Sequence, residues 1–63
     1  MDKRCEQYLM LAVSEYGISL GLNDQMLLRA YWNNWKHKLT RDSFINACRK
    51  YVNGTLNFMQ EPG

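Results

Sequence analysis

One histidine and two cysteines are the residues of this chain best suited to catalysis or metal binding. His37, Cys5 and Cys48 lie far apart in sequence, and their spacing matches none of the common zinc-binding patterns. No glycine loop followed by lysine is present to hold a phosphate group. Asp24 and Asp42 are explained by their places near predicted helix starts, where negative charge is favourable. The sequence therefore predicts no catalytic residue, no metal and no cofactor.

A second group of residues is suited to binding another macromolecule. Two tryptophans come just before a short basic segment, Lys36-His37-Lys38, and apolar residues follow it. Trp and Arg are among the residues that most often dominate binding energy at interfaces. The candidate partner-binding residues, apolar anchors with a cationic rim, are Trp32, Trp35, Lys36, Lys38, Leu39, Arg41 and Phe44. In the alternative interpretation, both tryptophans belong to the core or to a homodimer contact.

The cations also permit a different function, that of a helix-turn-helix DNA-binding regulator. Asparagine can bond adenine, arginine can bond guanine, and lysine can bind phosphates. The candidate DNA-binding residues of this alternative are Lys36, Lys38, Asn46, Arg49, Lys50 and Asn53. Against it, Asp42 lies near the front of the helix that would read the bases, and the isoelectric point of about 8.7 is low for such proteins.

Charge is distributed unevenly along the chain. Residues 1–28 contain two basic and four acidic residues, for a net charge of −2. Residues 29–50 contain six basic residues and one acidic residue, for a net charge of +5. A basic half suits an acidic partner, either nucleic acid or an acidic protein surface, although a solvated polar face would have the same composition.

Apolar residues recur at steps of three and four in three segments, which predicts three helices over about residues 3–16, 24–35 and 41–52. Asn23 and Thr40 are the predicted N-caps of the second and third helices. Leu22 is expected to pack on Leu27 as a hydrophobic staple, and Gly17 to end the first helix. These segments predict an all-α, three-helix mini-domain of one unit, built on an antiparallel helical hairpin, with a short C-terminal tail.

Composition further predicts where the chain works and with what. Two cysteines without a secretory signal before them suggest a reduced, cytoplasmic protein whose thiols act as small hydrophobes. No apolar run is long enough to span a bilayer, so no membrane association is expected. Aromatic residues make up 13% of the chain, more than so small a core can cover, which predicts a homo-oligomer.

Residues 22–42 read LNDQMLLRAYWNNWKHKLTRD. This third of the chain resembles the helical hairpin of the Sda family, small sporulation inhibitors of sensor histidine kinases. The family pattern of leucines, an aspartate, a tyrosine-aromatic pair and Arg-Asp is matched by Leu22, Asp24, Leu27, Tyr31, Trp32, Leu39, Arg41 and Asp42. Residues 1–21 have no counterpart, and a binding aromatic of the family falls at Ser43 here, with Phe44 one residue late.

The resemblance implies a protein that binds the dimerisation and phosphotransfer helices of a kinase and blocks signal relay, with Leu39 in its apolar binding patch. Taken with the residue pattern, it favours a non-enzymatic regulatory protein. Such a protein would bind and inhibit or modulate a protein partner through an aromatic and basic surface at the hairpin. DNA-binding transcriptional regulation is the alternative.

Overall fold

Three α-helices joined by short loops make up residues 2–62, the part of the chain that the computed structural model describes. Helix α1 spans Lys3–Ser14, α2 spans Leu22–Trp35 and α3 spans Arg41–Val52. No strand occurs in this range, so the predicted all-α, three-helix fold is confirmed. Within residues 2–62, no helix combines the length and the apolar character that crossing a bilayer requires.

Helix α1 begins at a side-chain cap and ends at a glycine. The Asp2 carboxylate accepts a hydrogen bond from the Arg4 amide at 2.9 Å, which satisfies one free N–H of the first turn. The helix ends at Ser14, two residues earlier than predicted. Gly17 has φ of 65°, the left-handed conformation predicted for it, and reverses the chain so that the Ile18 amide bonds the Ala12 carbonyl at 2.9 Å.

Helix α2 begins two residues earlier than predicted, and its N-cap is Gly21 rather than Asn23. Gly21 has no side chain to cap with, so the cap is made by Asp24, whose carboxylate accepts the Gly21 amide at 2.8 Å. The predicted staple between Leu22 and Leu27 is wrong. Both residues lie inside the helix, where five positions correspond to about 140° of rotation, and Leu22 is 82% exposed.

Helix α3 has the predicted bounds and the predicted N-cap. The Thr40 hydroxyl accepts the Ser43 amide at 3.2 Å, and the Ser43 hydroxyl accepts the Thr40 amide at 2.8 Å. This reciprocal pair fixes the first turn of the helix. Gly54, with φ of 75°, ends it. Val52, which the helical spacing placed on the inward face, is exposed.

The helices run in alternating directions. Asp24 near the start of α2 bonds Tyr51 near the end of α3 at 2.7 Å, and Trp32 near the end of α2 contacts Phe44 near the start of α3. The predicted antiparallel hairpin of α2 and α3 is therefore present. The fold was expected to be built on this hairpin. The backbone of α3 instead approaches α1 more extensively than it approaches α2.

An aromatic cluster centred on Trp32 forms the middle of the core. Its ring meets Tyr8 and Phe44 edge to face, with centroids 5.7 and 5.1 Å away. Its indole N–H donates to the Asp2 carboxylate at 2.7 Å, so burial leaves no polar atom unpaired. The buried apolar side chains are Cys5, Leu9, Ala12, Ile18, Leu20, Leu28, Tyr31, Trp32, Leu39, Phe44, Ile45, Ala47 and Cys48.

The tail that follows α3 folds back on the core, as predicted. Phe58 places its ring edge-on against Tyr31 and Tyr51, with centroids 5.9 and 6.0 Å away. The Phe58 carbonyl accepts the Trp35 indole N–H at 2.9 Å. Glu61 pairs with the Lys38 ammonium at 3.2 Å. These contacts join the tail to α2 and to the loop that precedes α3.

Candidate functional site

Three of the predicted partner-binding anchors lie in the core. Trp32 is 1% exposed, and Leu39 and Phe44 are also buried, so none of them can touch a partner while the chain is folded. Tyr31 and Trp32 are neighbours in sequence and lie about 100° apart around α2, so a single narrow covered face would not bury both. The helix has two covered faces: Tyr31 packs on Phe58 of the tail, and Trp32 packs on Tyr8 of α1.

Trp35 is half-buried and is bonded to the tail. Its indole donates to the Phe58 carbonyl at 2.9 Å, which commits its one polar group within the chain. The interpretation of this residue as a packing contact within the fold therefore describes it better than that of a free anchor. Its remaining exposed edge is flanked by the basic segment.

The basic segment is exposed but only partly available. Lys38 pairs with Glu61 at 3.2 Å, and Arg41 pairs with its neighbour Asp42 at 3.3 Å. Lys36 and His37 are exposed and have no ion pair among residues 2–62. In the predicted partner-binding surface, the cationic residues are therefore exposed, whereas the apolar residues meant for its centre are buried or half-buried.

The residues of the DNA-binding alternative share one exposed face of α3. Asn46, Arg49, Lys50 and Asn53 are all exposed and fall at helical spacing, while Lys36 and Lys38 lie in the loop before the helix. Asp42 belongs to the same face.

A different set of apolar side chains is exposed, on α1 and α2. Met10 is 70% exposed, Leu22 is 82% exposed and Met26 is 65% exposed. A groove of about 250 Å³ runs between the two helices, and its lining is mainly apolar: Glu6, Leu9, Met10, Val13, Ser14 and Gln25. We call the groove lined by these six residues the α1–α2 groove. Leu22 lies one helical turn from both Gln25 and Met26, so exposed apolar side chains of α2 lie beside the Gln25 wall of the groove.

An ion pair closes one end of the α1–α2 groove and holds its walls together. The Arg29 guanidinium donates to both oxygens of Glu6, at 2.6 and 2.8 Å. The hydrogen bond from Arg29 lowers the pKa of Glu6. Because the two charges cancel, the groove is bordered there by a neutral pair and its apolar lining is not interrupted by net charge.

The two thiols are inert at neutral pH. Burial raises the pKa of Cys5 to about 11 and that of Cys48 to about 12. Only the thiolate is a strong nucleophile or a metal ligand, so both side chains behave as small apolar groups. In residues 2–62, no three His, Cys, Asp or Glu side chains converge as metal ligands.

Three carboxylates link different parts of the fold, and their titration makes stability depend on pH. Bonds from Trp32 to Asp2, from Arg29 to Glu6 and from Tyr51 to Asp24 lower the pKa of each carboxyl. Their stabilisation is present in full above the ordinary values of about 4 and is lost as pH falls through the lower native values.

We therefore expect the melting temperature to fall on acidification below about pH 4, because the unfolded chain then binds more protons than the native one. Thermal unfolding followed by circular dichroism across this range measures the effect. Glu6→Gln should make the acid-induced fall shallower, whereas Glu15→Gln, at an exposed position with no ion pair in residues 2–62, should reproduce the parent profile. An unchanged slope in Glu6→Gln would contradict the assignment.

Sequence reasoning missed the α1–α2 groove, although one signal was present. Met10 and Leu11 widen the apolar stripe of the first helix beyond what a contact between two helices needs. Leu11 is half-buried and Met10 is exposed, so only part of that excess is used by the fold. Comparisons with known protein families, with curated proteins and with solved structures find no match for this chain.

Proposed function

We propose that the chain is a non-enzymatic regulatory protein that modulates a protein partner, and that the partner docks in the α1–α2 groove. The observation that carries the proposal is the mainly apolar groove that contains the exposed Met10, with Leu22 and Met26 exposed on α2 beside it. Burying these side chains would stabilise a complex by about 25 cal/mol for each Å² of apolar surface removed from water. The predicted hairpin surface has no comparable apolar area left.

The chemistry of the groove indicates the kind of partner. Methionine side chains are flexible and polarisable, and they are common where a surface must fit apolar side chains of varied shape. A groove between two helices suits an amphipathic helix whose apolar residues recur at steps of three and four. The neutral pair of Glu6 and Arg29 at its end favours a partner helix with little charge at its centre.

A kinase dimerisation helix, the target that the resemblance implies, is one helix of this kind. The mode of binding would differ from that family, because Leu39, the residue in the place of its apolar patch, is buried here. Self-association, which the aromatic content predicts, also stays a prediction. Sedimentation of the chain over a range of concentrations distinguishes a homo-oligomer from a monomer that binds another protein.

The test is affinity capture from nuclease-treated cytosol of the source cells. We expect the parent chain to retain a protein partner, and Met10→Glu combined with Met26→Glu to lose it, since two charges would then be buried at the contact. Met59→Glu is the matched control, because Met59 is also a largely exposed methionine but lies on the tail, and it should retain the partner. Circular dichroism should show all variants folded.

Two results would contradict this proposal. Retention of the partner by the double variant would place the contact elsewhere. Capture that disappears with nuclease, and that Arg49→Ala with Lys50→Ala abolishes, would favour the DNA-binding alternative, which the shared exposed face of α3 supports. Binding of that kind would also weaken steeply as salt is raised, whereas docking in an apolar groove would not.

A further inference from the structure

A second, polar cleft lies between α3 and the tail. It holds about 190 Å³ and is lined by Tyr31, Lys50, Thr55, Leu56, Asn57, Gln60, Glu61 and Pro62. A smaller space of about 40 Å³ adjoins it beside Asn46 and Ser43. Tyr31 follows Gln25, the α2 residue that lines the α1–α2 groove, by six residues, which is about 120° around α2, so the cleft and the groove open on different sides of the helix.

Tyr31 lines this cleft and is almost fully buried. The residue is 4% exposed, yet its hydroxyl makes no side-chain hydrogen bond with residues 2–62, unlike that of Tyr51, which bonds Asp24. In this range, every fully enclosed side-chain nitrogen or oxygen atom has a hydrogen-bond partner. Because the Tyr31 oxygen has no such partner there, it is not fully enclosed and is open to the solvent of the cleft. Burial raises the pKa of Tyr31, which keeps the group protonated and able to donate.

Lys50 supplies a cation at the same cleft. Its ammonium has no carboxylate partner in residues 2–62, although Glu61 also lines the space. Glu61 is instead directed to Lys38, at 3.2 Å. The cleft therefore offers a neutral O–H donor and an unpaired ammonium, with the side-chain amides of Asn57 and Gln60 beside them.

We propose that this cleft binds a small organic molecule bearing a single carboxylate. The carboxylate would accept hydrogen bonds from the Tyr31 hydroxyl and the Lys50 ammonium. One unpaired cation next to the Glu61 carboxylate suits a monoanion better than a phosphate dianion. The space of about 190 Å³ suits a small ligand of this kind.

The experiment titrates the isotope-labelled chain with lactate, which has one carboxylate and fits this size, and follows amide signals by NMR. We expect saturable shifts at Thr55, Asn57 and Gln60. Lactamide, the uncharged isostere, should cause none, and inorganic phosphate should bind more weakly than lactate. Tyr31→Phe and Lys50→Gln should each weaken lactate binding by about tenfold, since each removes a hydrogen bond to a charged group.

Matched controls separate binding from folding. Tyr16→Phe and Arg49→Gln change exposed residues outside the cleft and should bind lactate as the parent does. Tyr31→Phe removes a hydroxyl that makes no side-chain hydrogen bond within residues 2–62, so its melting temperature should not fall. Absence of saturation, equal binding of lactamide, or tighter binding of phosphate would each overturn the proposal. So would unchanged lactate binding in both cleft variants.

Discussion

Trp32→Ala should leave most of the chain unfolded at 25 °C. The indole is 1% exposed and is in edge-on contact with Tyr8 and Phe44, so its removal opens a large cavity among aromatic rings. Truncating a buried aromatic residue costs about 3–5 kcal/mol. The hydrophobic core of a domain of this size rarely supplies more than about 3–5 kcal/mol of net stability. The destabilisation expected for Trp32→Ala is therefore comparable to the total stability of the chain. Urea denaturation followed by far-ultraviolet circular dichroism measures it.

The comparison variant is Met26→Ala, which truncates a large side chain that is mostly exposed. It should keep the parent unfolding midpoint within the spread typical of surface substitutions, about 0.5 kcal/mol. A Trp32→Ala variant that remained folded with the parent midpoint would contradict the placement of this residue in the core. The two variants also help to interpret the binding experiment. Loss of a partner in Trp32→Ala would report unfolding of the chain and not the loss of a binding contact.

Cys5 and Cys48 should resist alkylation by iodoacetamide as long as the chain is folded. At about pH 8 the reacting species is the thiolate. Burial raises the pKa from 9.0 to about 11 for Cys5 and to about 12 for Cys48, which lowers the thiolate fraction about a hundredfold and about a thousandfold. Mass spectrometry of the time course gives the two rates separately.

Denaturing guanidinium provides the reference in which both thiols react as free cysteine does. Trp32→Ala, if unfolded as expected, should react at that same rate without denaturant. In the native parent, alkylation should proceed mainly through transient opening, so both cysteines should be modified at similar rates. Rapid modification of one cysteine in the folded chain would show that it lies at an accessible surface.

The elements with strong local signals could be predicted from sequence. Helix α3 has the predicted bounds because Thr40 and Gly54 each act on neighbouring backbone groups. The start of α2 was missed for a physical reason. Its cap residue, Gly21, contributes no side chain, and the capping group comes from Asp24 three residues later. From sequence, the Asp24 carboxylate could be recognised as a charge near a helix start. Its hydrogen bond with the Gly21 amide could not be predicted.

The candidate site was harder to predict because it depends on packing between helices. Helical spacing shows which residues of one helix share a face, and it does not show how many neighbours cover that helix. Once α1 and the tail both lie on α2, Trp32 and Tyr31 each have a place in the core. The same packing leaves Met10, Leu22 and Met26 without cover, which no single segment could reveal.

The two indoles give this chain a pair of independent fluorescent reporters. Trp32 is enclosed by the aromatic core, whereas Trp35 is tied to the Phe58 carbonyl of the tail. Emission from a chain that keeps only Trp32 would follow melting of the whole molecule. The difference between the emission of the parent and that of the chain with only Trp32 would follow detachment of the last residues, so local fraying and global unfolding could be timed separately.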